Sequence, residues 1–361
     1  MVEANHFKTF AADVRGRFNP VLQAYLRQQQ SRLASDHPLG RRLSQLIINF
    51  VGGPAKRLRP ALVELGYLVS GRSVPAALMQ IGVAVELVHH FLLIHDDIID
   101  RSLVRRGRPT VHQAVRQWPR LGARIADDRR REVGRSIAVV AGDLCADLAV
   151  EAVLGSRFSE HQQRSVLRTI LHTVDRTIVG EALDVIAPLT GRGSRRTVEA
   201  IATLKTAHYS LVMPLQVGMT VAGVGPSVQR GVARYALLVG IAFQIDDDVL
   251  GVFGRPGQVG KSTSSDLAEG KVTLLTVLAR ERFRSAERRH LKRILARRRV
   301  SPNELVWFRK TLIARGVLSR VRLIQQRYVQ SARRALRAVR LPASSRRLLH
   351  DLAMAVVDRQ A

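Results

Sequence analysis

Four stretches are rich in apolar residues at helical spacing, the pattern of helices packed into a core. They are LVELGYLVS, MQIGVAVELVHHFLLIHDDIID, SIAVVAGDLCADLAVEAVL and VARYALLVGIAFQIDDDVLGVF. Several are apolar on more than one face, which places them centrally in a fold. Breaks punctuate them at VGGP (51–54), SGRSVP (70–75), APLTGRGS (187–194), VGPS (224–227) and FGRPGQVG (253–260). Aromatic residues, which favour strands, make up only 5% of the chain. The expectation is an all-α protein. The segment 118–135, WPRLGARIADDRRREVGR, is polar and arginine-rich and reads as a surface insertion, a loop or a short frayed helix.

With 361 residues the chain is long enough for two average domains. Its net charge is +29, and only seven of its 58 basic residues are lysine. Such a chain attracts anions of any kind: nucleic acid, acidic membrane surfaces or phosphorylated small molecules. No nucleic-acid recognition motif or set of stacking aromatics accompanies the charge, so specific nucleic-acid binding is not expected. The one cysteine, Cys145, excludes an intrachain disulfide and reads as a small packing residue. MVEANHFKTF lacks an apolar signal core. No uninterrupted apolar run reaches the ~18 residues of a spanning helix. A cytoplasmic protein is expected, with the basic surface able to dock weakly on anionic membrane.

Two of the apolar runs end in acid. In HDDIIDRSLVRRGRPTVH, Asp96 and Asp100 are four residues apart. On a helix they share a face at ~5–6 Å, where like charges repel. A carboxylate ridge of this kind suits Mg²⁺, which takes hard oxygen ligands and keeps several waters. The second cluster is Asp246, Asp247 and Asp248 in FQIDDDVLGVFG. Two acid-tipped helices would make facing carboxylate walls, able to clamp a diphosphate through metal ions. Arg105 and Arg106 follow the first cluster, and Lys56 and Arg59 lie beside a glycine turn in GGPAKRLRP. Guanidinium groups match phosphate oxygens bidentately.

The ordered set GGPAKRLRP, HDDIIDRSLVRRGRP, LKTA, FQIDDDVLG and GKSTSSDLAEGKVTLL resembles the trans-isoprenyl diphosphate synthase (polyprenyl synthetase) family, from about residue 40 onward. The resemblance implies one domain over 1–361, a helical bundle around a deep central cavity, with residues 1–39 a peripheral helix. It implies a homodimer. It also implies a Mg²⁺-dependent prenyltransferase that joins isopentenyl diphosphate to an allylic diphosphate (dimethylallyl, geranyl or farnesyl). Asp96 and Asp100 would bind Mg²⁺, with Asp97 supporting and Asp247 as the ligand from the second motif. Three ions, Arg105, Lys205 and Lys261, with Lys271 nearby, would hold the allylic diphosphate. Lys56, Arg59, His89 and Arg106 would hold isopentenyl diphosphate, and the oxygens of Thr206 and Gln244 would face the developing cation.

The chain departs from the family pattern at two places. The third aspartate of the second motif is Gly251, so a metal there needs water or Asp266, and Asp246 is an extra acid. The first cradle reads GGPAK, two residues longer than GGK. Product length is expected to depend on Phe91, five residues before Asp96, with the non-aromatic Leu92 beside it. That pattern resembles enzymes making the C20 geranylgeranyl product; farnesyl (C15) or longer-chain synthesis, a non-catalytic subunit and a class I terpene synthase are the alternatives.

Overall fold

Each long apolar run forms a helix in the structure, a computed structural model that describes residues 6–118, 125–190, 193–254, 265–297 and 299–357. Among these residues the only strands are β1 (Val104–Arg105) and β2 (Arg108–Pro109), in agreement with the all-α expectation. Contacts group the chain into two units. One comprises residues 8–170 and 217–223, the other residues 1–7, 171–216 and 224–361. Helices α1 (His6–Asp36), α7 (Glu160–Ile186) and α9 (Met213–Val221) have residues in both.

The first unit contains α2 (Pro38–Val51), α3 (Leu58–Leu68), α4 (Leu78–Ile99), α5 (Val111–Arg116) and α6 (Asp127–Leu154). Its centre is α4, buried on nearly every side and packed most extensively on α6. The close approach follows from small side chains: Ala138, Ala141, Cys145, Ala149 and Ala152 form one buried face of α6. At Gly142 a Cβ would stand 2.3 Å from His95 Nε2, so any larger residue there would have to displace the His95 ring. Burial pushes the Cys145 thiol up to about 12, which makes it the inert packing group expected.

Helix α1 is docked through Val14, Phe18, Leu22 and Leu26, a buried stripe at helical spacing. Its Tyr25 hydroxyl donates to the Leu148 carbonyl at 2.6 Å. The segment 118–135 is corrected in part. From Asp127 it is the start of α6, and Asp127 and Asp128 occupy the first turn, where the helix dipole favours negative charge. Residues 119–124 lie outside the described residues.

The second unit is built on α10 (Pro226–Phe253), which packs on a π-helix (Ala202–Val212) and on α15 (Val317–Arg337). Around it stand α8 (Arg195–Ile201), α11 (Ser265–Glu269), α12 (Leu274–Arg282), α13 (Ser285–Arg297), α14 (Pro302–Ala314) and α16 (Ala343–Val357). Reciprocal capping boxes, Thr273 with Thr276 and Ser301 with Glu304, fix where α12 and α14 begin. Glycines let the π-helix press against its neighbours. A Cβ at Gly240 would meet the Ala207 Cβ at 2.5 Å, and one at Gly180 would meet the Lys205 nitrogen at 2.3 Å. Helix α7 leaves an apolar stripe open, with Leu171, Ile178, Val179, Val185 and Ile186 all exposed. Among the described residues only α4 is long and apolar enough to cross a membrane, and 78% of its apolar window is buried in the fold.

Candidate active site

The first acidic cluster sits where α4 runs out. Asp96 and Asp97 lie in the last turn and Asp100 is the C-cap, the end of a helix that disfavours negative charge. Arg105 supplies the compensation. Its Nε donates to both Asp97 oxygens at 2.9 and 2.8 Å, and its Nη2 donates to Asp97 Oδ1 at 2.7 Å and Asp96 Oδ2 at 2.9 Å. Asp97 is buried and so acts as the anchor for the arginine. Asp96 and Asp100 are half-open and bring carboxylate oxygens within 4.8 Å of one another. That separation fits a hard cation with oxygen ligands at about 2.1 Å.

Arg105 and Arg106 do not sit on an open loop. β1 and β2 form a two-residue hairpin in which Val104 pairs with Pro109 and Arg105 with Arg108. Both turn residues, Arg106 and Gly107, have positive φ (53° and 74°), the left-handed pair that a type I′ turn requires. Glycine adopts this freely. A long side chain at Arg106 does so at a cost of about 1–3 kcal/mol, which points to function at that position. The buried Thr110 hydroxyl donates to the Ser102 carbonyl at 2.8 Å and pins the hairpin base.

The basic cradle is organised by a residue the sequence reading missed. Arg57, between Lys56 and Arg59, is buried and left-handed (φ 49°). Its Nη1 donates to Glu86 Oε1 at 2.8 Å, its Nη2 to the Val51 and Gly53 carbonyls at 2.7 and 3.1 Å, and its Nε to Asn19 Oδ1 at 3.1 Å. One guanidinium therefore ties the glycine turn to α1 and α4 and leaves Lys56 exposed. Burial opposes ionisation of Glu86, but its neighbours His90 and the Arg57 guanidinium outweigh it and hold the carboxyl below its ordinary value. Burial, reinforced by Arg59, His90, Arg106 and Arg105, holds His89 well below the ordinary imidazole value, so it is neutral at pH 7. Lys56, Arg59, His89, Asp96, Asp97, Asp100, Arg105 and Arg106 all belong to the first unit.

The second acidic cluster separates by face. Asp247 is exposed, whereas Asp246 and Asp248 are buried. Asp246, left without a role by the sequence, accepts from Arg322 Nη1 at 2.6 Å and Gln325 Nε2 at 3.2 Å and fastens α15 to α10. Asp248 Oδ1 accepts from Gln244 Nε2 at 2.7 Å, and the Thr206 hydroxyl donates to Gln244 Oε1. Burial, then the neighbouring Asp266, pushes Asp248 well above the usual carboxylate range, with Asp247 and Asp184 adding to it despite the Gln244 hydrogen bond.

Lys205 and Lys271 are half-buried among acids rather than free on the surface. Lys205 Nζ donates to Glu181 Oε1 at 3.0 Å and Asp184 Oδ2 at 2.7 Å. Lys271 Nζ lies 3.3 Å from Glu269, 3.8 Å from Asp184 and 3.9 Å from Asp266. Glu181 and Asp184 were not singled out from sequence. At Gly251 a Cβ would stand 2.7 Å from Asp266 Oδ2, so Asp266 presents its carboxylate where a side chain at 251 would begin. Lys261 lies outside the described residues.

On α4, Phe91 and Leu92 are half-buried. The Phe91 ring meets His95 edge to face, with centroids 4.9 Å apart, and His95 Nε2 donates to the Val139 carbonyl at 3.2 Å. Phe91 thus faces the α6 side of α4. Leu92, four residues before Asp96, lies on the ridge that carries Asp96 and Asp100.

Residues 41–311 match the polyprenyl synthetase family. The chain is 32% identical over 313 residues to the (2E,6E)-farnesyl diphosphate synthase of Mycobacterium tuberculosis, covering 85% of this chain and 80% of that one. It is 29% identical to the geranylfarnesyl diphosphate synthase of Aeropyrum pernix, covering 88% and 94%. A solved geranylgeranyl pyrophosphate synthase from Corynebacterium glutamicum, complexed with isoprenyl diphosphate and magnesium, superposes with a TM-score of 0.90 at 27% identity, covering 98% of this chain and 99% of that one. The relatives make products of different length, while the reaction class and its Mg²⁺ are common to the family. The chain belongs to the polyprenyl synthetase family and is a trans-prenyl diphosphate synthase.

Proposed function

We propose that the protein makes geranylgeranyl diphosphate (C20) by head-to-tail condensation of isopentenyl diphosphate with an allylic diphosphate. The observation that carries this reading is the pairing of a half-buried Phe91 with a non-aromatic Leu92 on the ridge below Asp96. It is supported by the likeness to the Corynebacterium geranylgeranyl pyrophosphate synthase.

Asp96, Asp100 and Asp247 would hold Mg²⁺, three ions when diphosphate is present. When bound, magnesium supplies the positive charge that stabilises diphosphate as a leaving group. Arg105, Lys205 and Lys261, with Lys271 nearby, bind the allylic diphosphate oxygens and keep them oriented. Lys56, Arg59, Arg106 and neutral His89 bind isopentenyl diphosphate, with Arg57 positioning the first two. The Thr206 and Gln244 oxygens turn negative ends toward the allylic carbon as it becomes cationic, and apolar walls exclude water from it. The departing diphosphate takes the proton lost from the new chain, so no protein nucleophile is needed. Asp266 stands in for the carboxylate absent at Gly251.

The exposed stripe on α7 supports a homodimer, since a contiguous apolar face of this size on a helix calls for a partner. The basic surface supports a weak, salt-sensitive hold on anionic membrane.

The test is incubation with Mg²⁺, labelled isopentenyl diphosphate and each allylic primer in turn, followed by chromatography of the dephosphorylated alcohols. A dominant C20 alcohol is expected. A dominant C15 or C25 alcohol rejects the chain-length assignment, and no label in the organic phase rejects catalysis.

A further inference from the structure

Beneath the β1–β2 hairpin the first unit holds a cavity of about 300 Å³ that none of Lys56, Arg59 and His89 lines. Its walls are apolar: Leu46 and Phe50 from α2, Leu93 from α4 and Val111 from α5. Arg106 and Arg108 stand at its rim, both solvent-exposed and without an ion pair among the described residues. Pro54, part of the stretch that lengthens the glycine turn, lines it too, so the cavity belongs to what is particular to this chain.

One buried polar group also lines it. His90 is 1% exposed, and its Nδ1 lies 2.8 Å from the Glu86 carbonyl. A carbonyl can only accept, so Nδ1 carries the proton and Nε2 presents a lone pair. Nε2 has no hydrogen-bond partner among the described residues. Burial keeps the ring neutral, with its pKa lowered to about 4. A buried acceptor left unmatched costs about 1–3 kcal/mol, which is reason to look for the donor that matches it.

We propose that this cavity is a second, non-catalytic anion site, taking a short aliphatic phosphate that carries a hydroxyl. The phosphate sits between Arg106 and Arg108, the aliphatic stem lies against Phe50 and Leu93, and the hydroxyl donates to His90 Nε2. At roughly 30 Å³ for each water-sized group, the volume accepts on the order of ten non-hydrogen atoms, a stem of about five carbons. Arg105 and Arg106, both assigned to substrate, also line the cavity; Arg108, His90 and the apolar wall set it apart from the substrate cradle. Because Arg106 is also assigned to isopentenyl diphosphate, an occupant engages a guanidinium that the substrate needs. The regulatory half of the proposal rests on the function proposed above; the binding half does not.

The probes are 5-hydroxypentyl phosphate, pentyl phosphate and inorganic phosphate, titrated calorimetrically into the full chain. The hydroxypentyl ester is expected to bind with 1:1 stoichiometry, about tenfold tighter than pentyl phosphate and a further tenfold tighter than inorganic phosphate. Lys56→Ala should leave that binding intact. Arg108→Ala and Ala114→Phe, which removes the rim charge or fills the cavity, should each weaken it at least tenfold. In turnover assays the ester should raise the KM for isopentenyl diphosphate and leave kcat unchanged, and Arg108→Ala should abolish the effect while keeping basal activity. Equal binding of all three probes overturns the proposal, as does binding that is lost in Lys56→Ala and kept in both Arg108→Ala and Ala114→Phe. If turnover is absent altogether, the proposed function fails, and the calorimetry still decides the site.

Discussion

Two of the three adjacent aspartates on α10, Asp246 and Asp247, can be told apart by point substitutions. Asp246 is wholly buried and accepts from Arg322 and from Gln325, itself 0% exposed. Asp246→Ala removes a hydrogen bond to a charged group, worth about 1.5–3 kcal/mol, and strands part of the Gln325 amide. Breaking a buried ion pair costs about 3–5 kcal/mol. The Arg322 side chain is 29% exposed and can turn to water, so the loss should fall near the lower end, about 3 kcal/mol. With unfolding entropy of roughly 2.1 cal/mol/K per residue over 361 residues, that is a drop in Tm of about 4 °C. Asp246→Asn keeps an acceptor oxygen in place and should lose about 1 kcal/mol. Below the melting range both variants should retain kcat and KM. Asp247→Ala should do the reverse, keeping Tm and losing kcat by about 100-fold, or roughly 2.7 kcal/mol of transition-state stabilisation. Circular-dichroism melts and turnover of the three variants decide the matter. An Asp246→Ala protein with native Tm and abolished turnover would refute the face assignment.

Restoring the family's third aspartate should harm this chain: Gly251→Asp forces a Cβ to 2.7 Å from Asp266 Oδ2, so Tm and turnover should fall, and Gly251→Asp with Asp266→Ala should recover both. Unchanged Tm and turnover in the single variant would count against the tight approach of Asp266. Arg57→Ala strands the buried Glu86 carboxylate, at about 3–5 kcal/mol, while the milder Arg57→Lys should raise the KM for isopentenyl diphosphate several-fold with the allylic KM unchanged, read by steady-state kinetics. Acid should destabilise the fold through His90: its pKa is lowered from 6.5 to about 4, so the unfolded chain binds the proton more readily. That contribution is complete above pH 6.5 and is lost as pH falls toward 4, on the order of 3 kcal/mol. Denaturant midpoints of the wild type and His90→Gln between pH 7 and 4 should differ in slope. Phe91→Ala should lengthen the products, read as longer alcohols on chromatography; an unchanged profile removes Phe91 from the floor of the product tunnel.

The large helices and both acid clusters were legible because each depends on local pattern. α4 and α10 are unbroken apolar runs, and their aspartates follow directly in sequence. The basic partners of the first cluster were also visible, since Arg105 lies nine positions after Asp96. What stayed hidden depends on the direction a side chain takes. Asp246, Asp247 and Asp248 are chemically identical neighbours, and about 100° of rotation per residue sends one into α15 and another to solvent. Arg57 is one of 58 basic residues, and only a left-handed backbone turns it inward. Glu181 and Asp184 are acids three apart on a polar helix, a spacing common on solvated faces; the lysines that mark them come from elsewhere in the chain. The start of α6 was hidden by its arginines, which suit an exposed helix as well as a loop.

The π-helix from Ala202 to Val212 places Lys205 and Thr206 by phase rather than by sequence identity. Its i→i+5 winding is wider than an α-helix, so adding or removing one residue anywhere downstream within the segment would rotate everything on one side of the change. Gly180 and Gly240 leave no slack to absorb such a rotation, because backbone and β-carbon atoms already touch there. Away from Lys205 and Thr206, point substitutions that respect size should therefore be borne along this stretch, while insertions and deletions of a single codon should not. The length of this segment therefore has little freedom to drift.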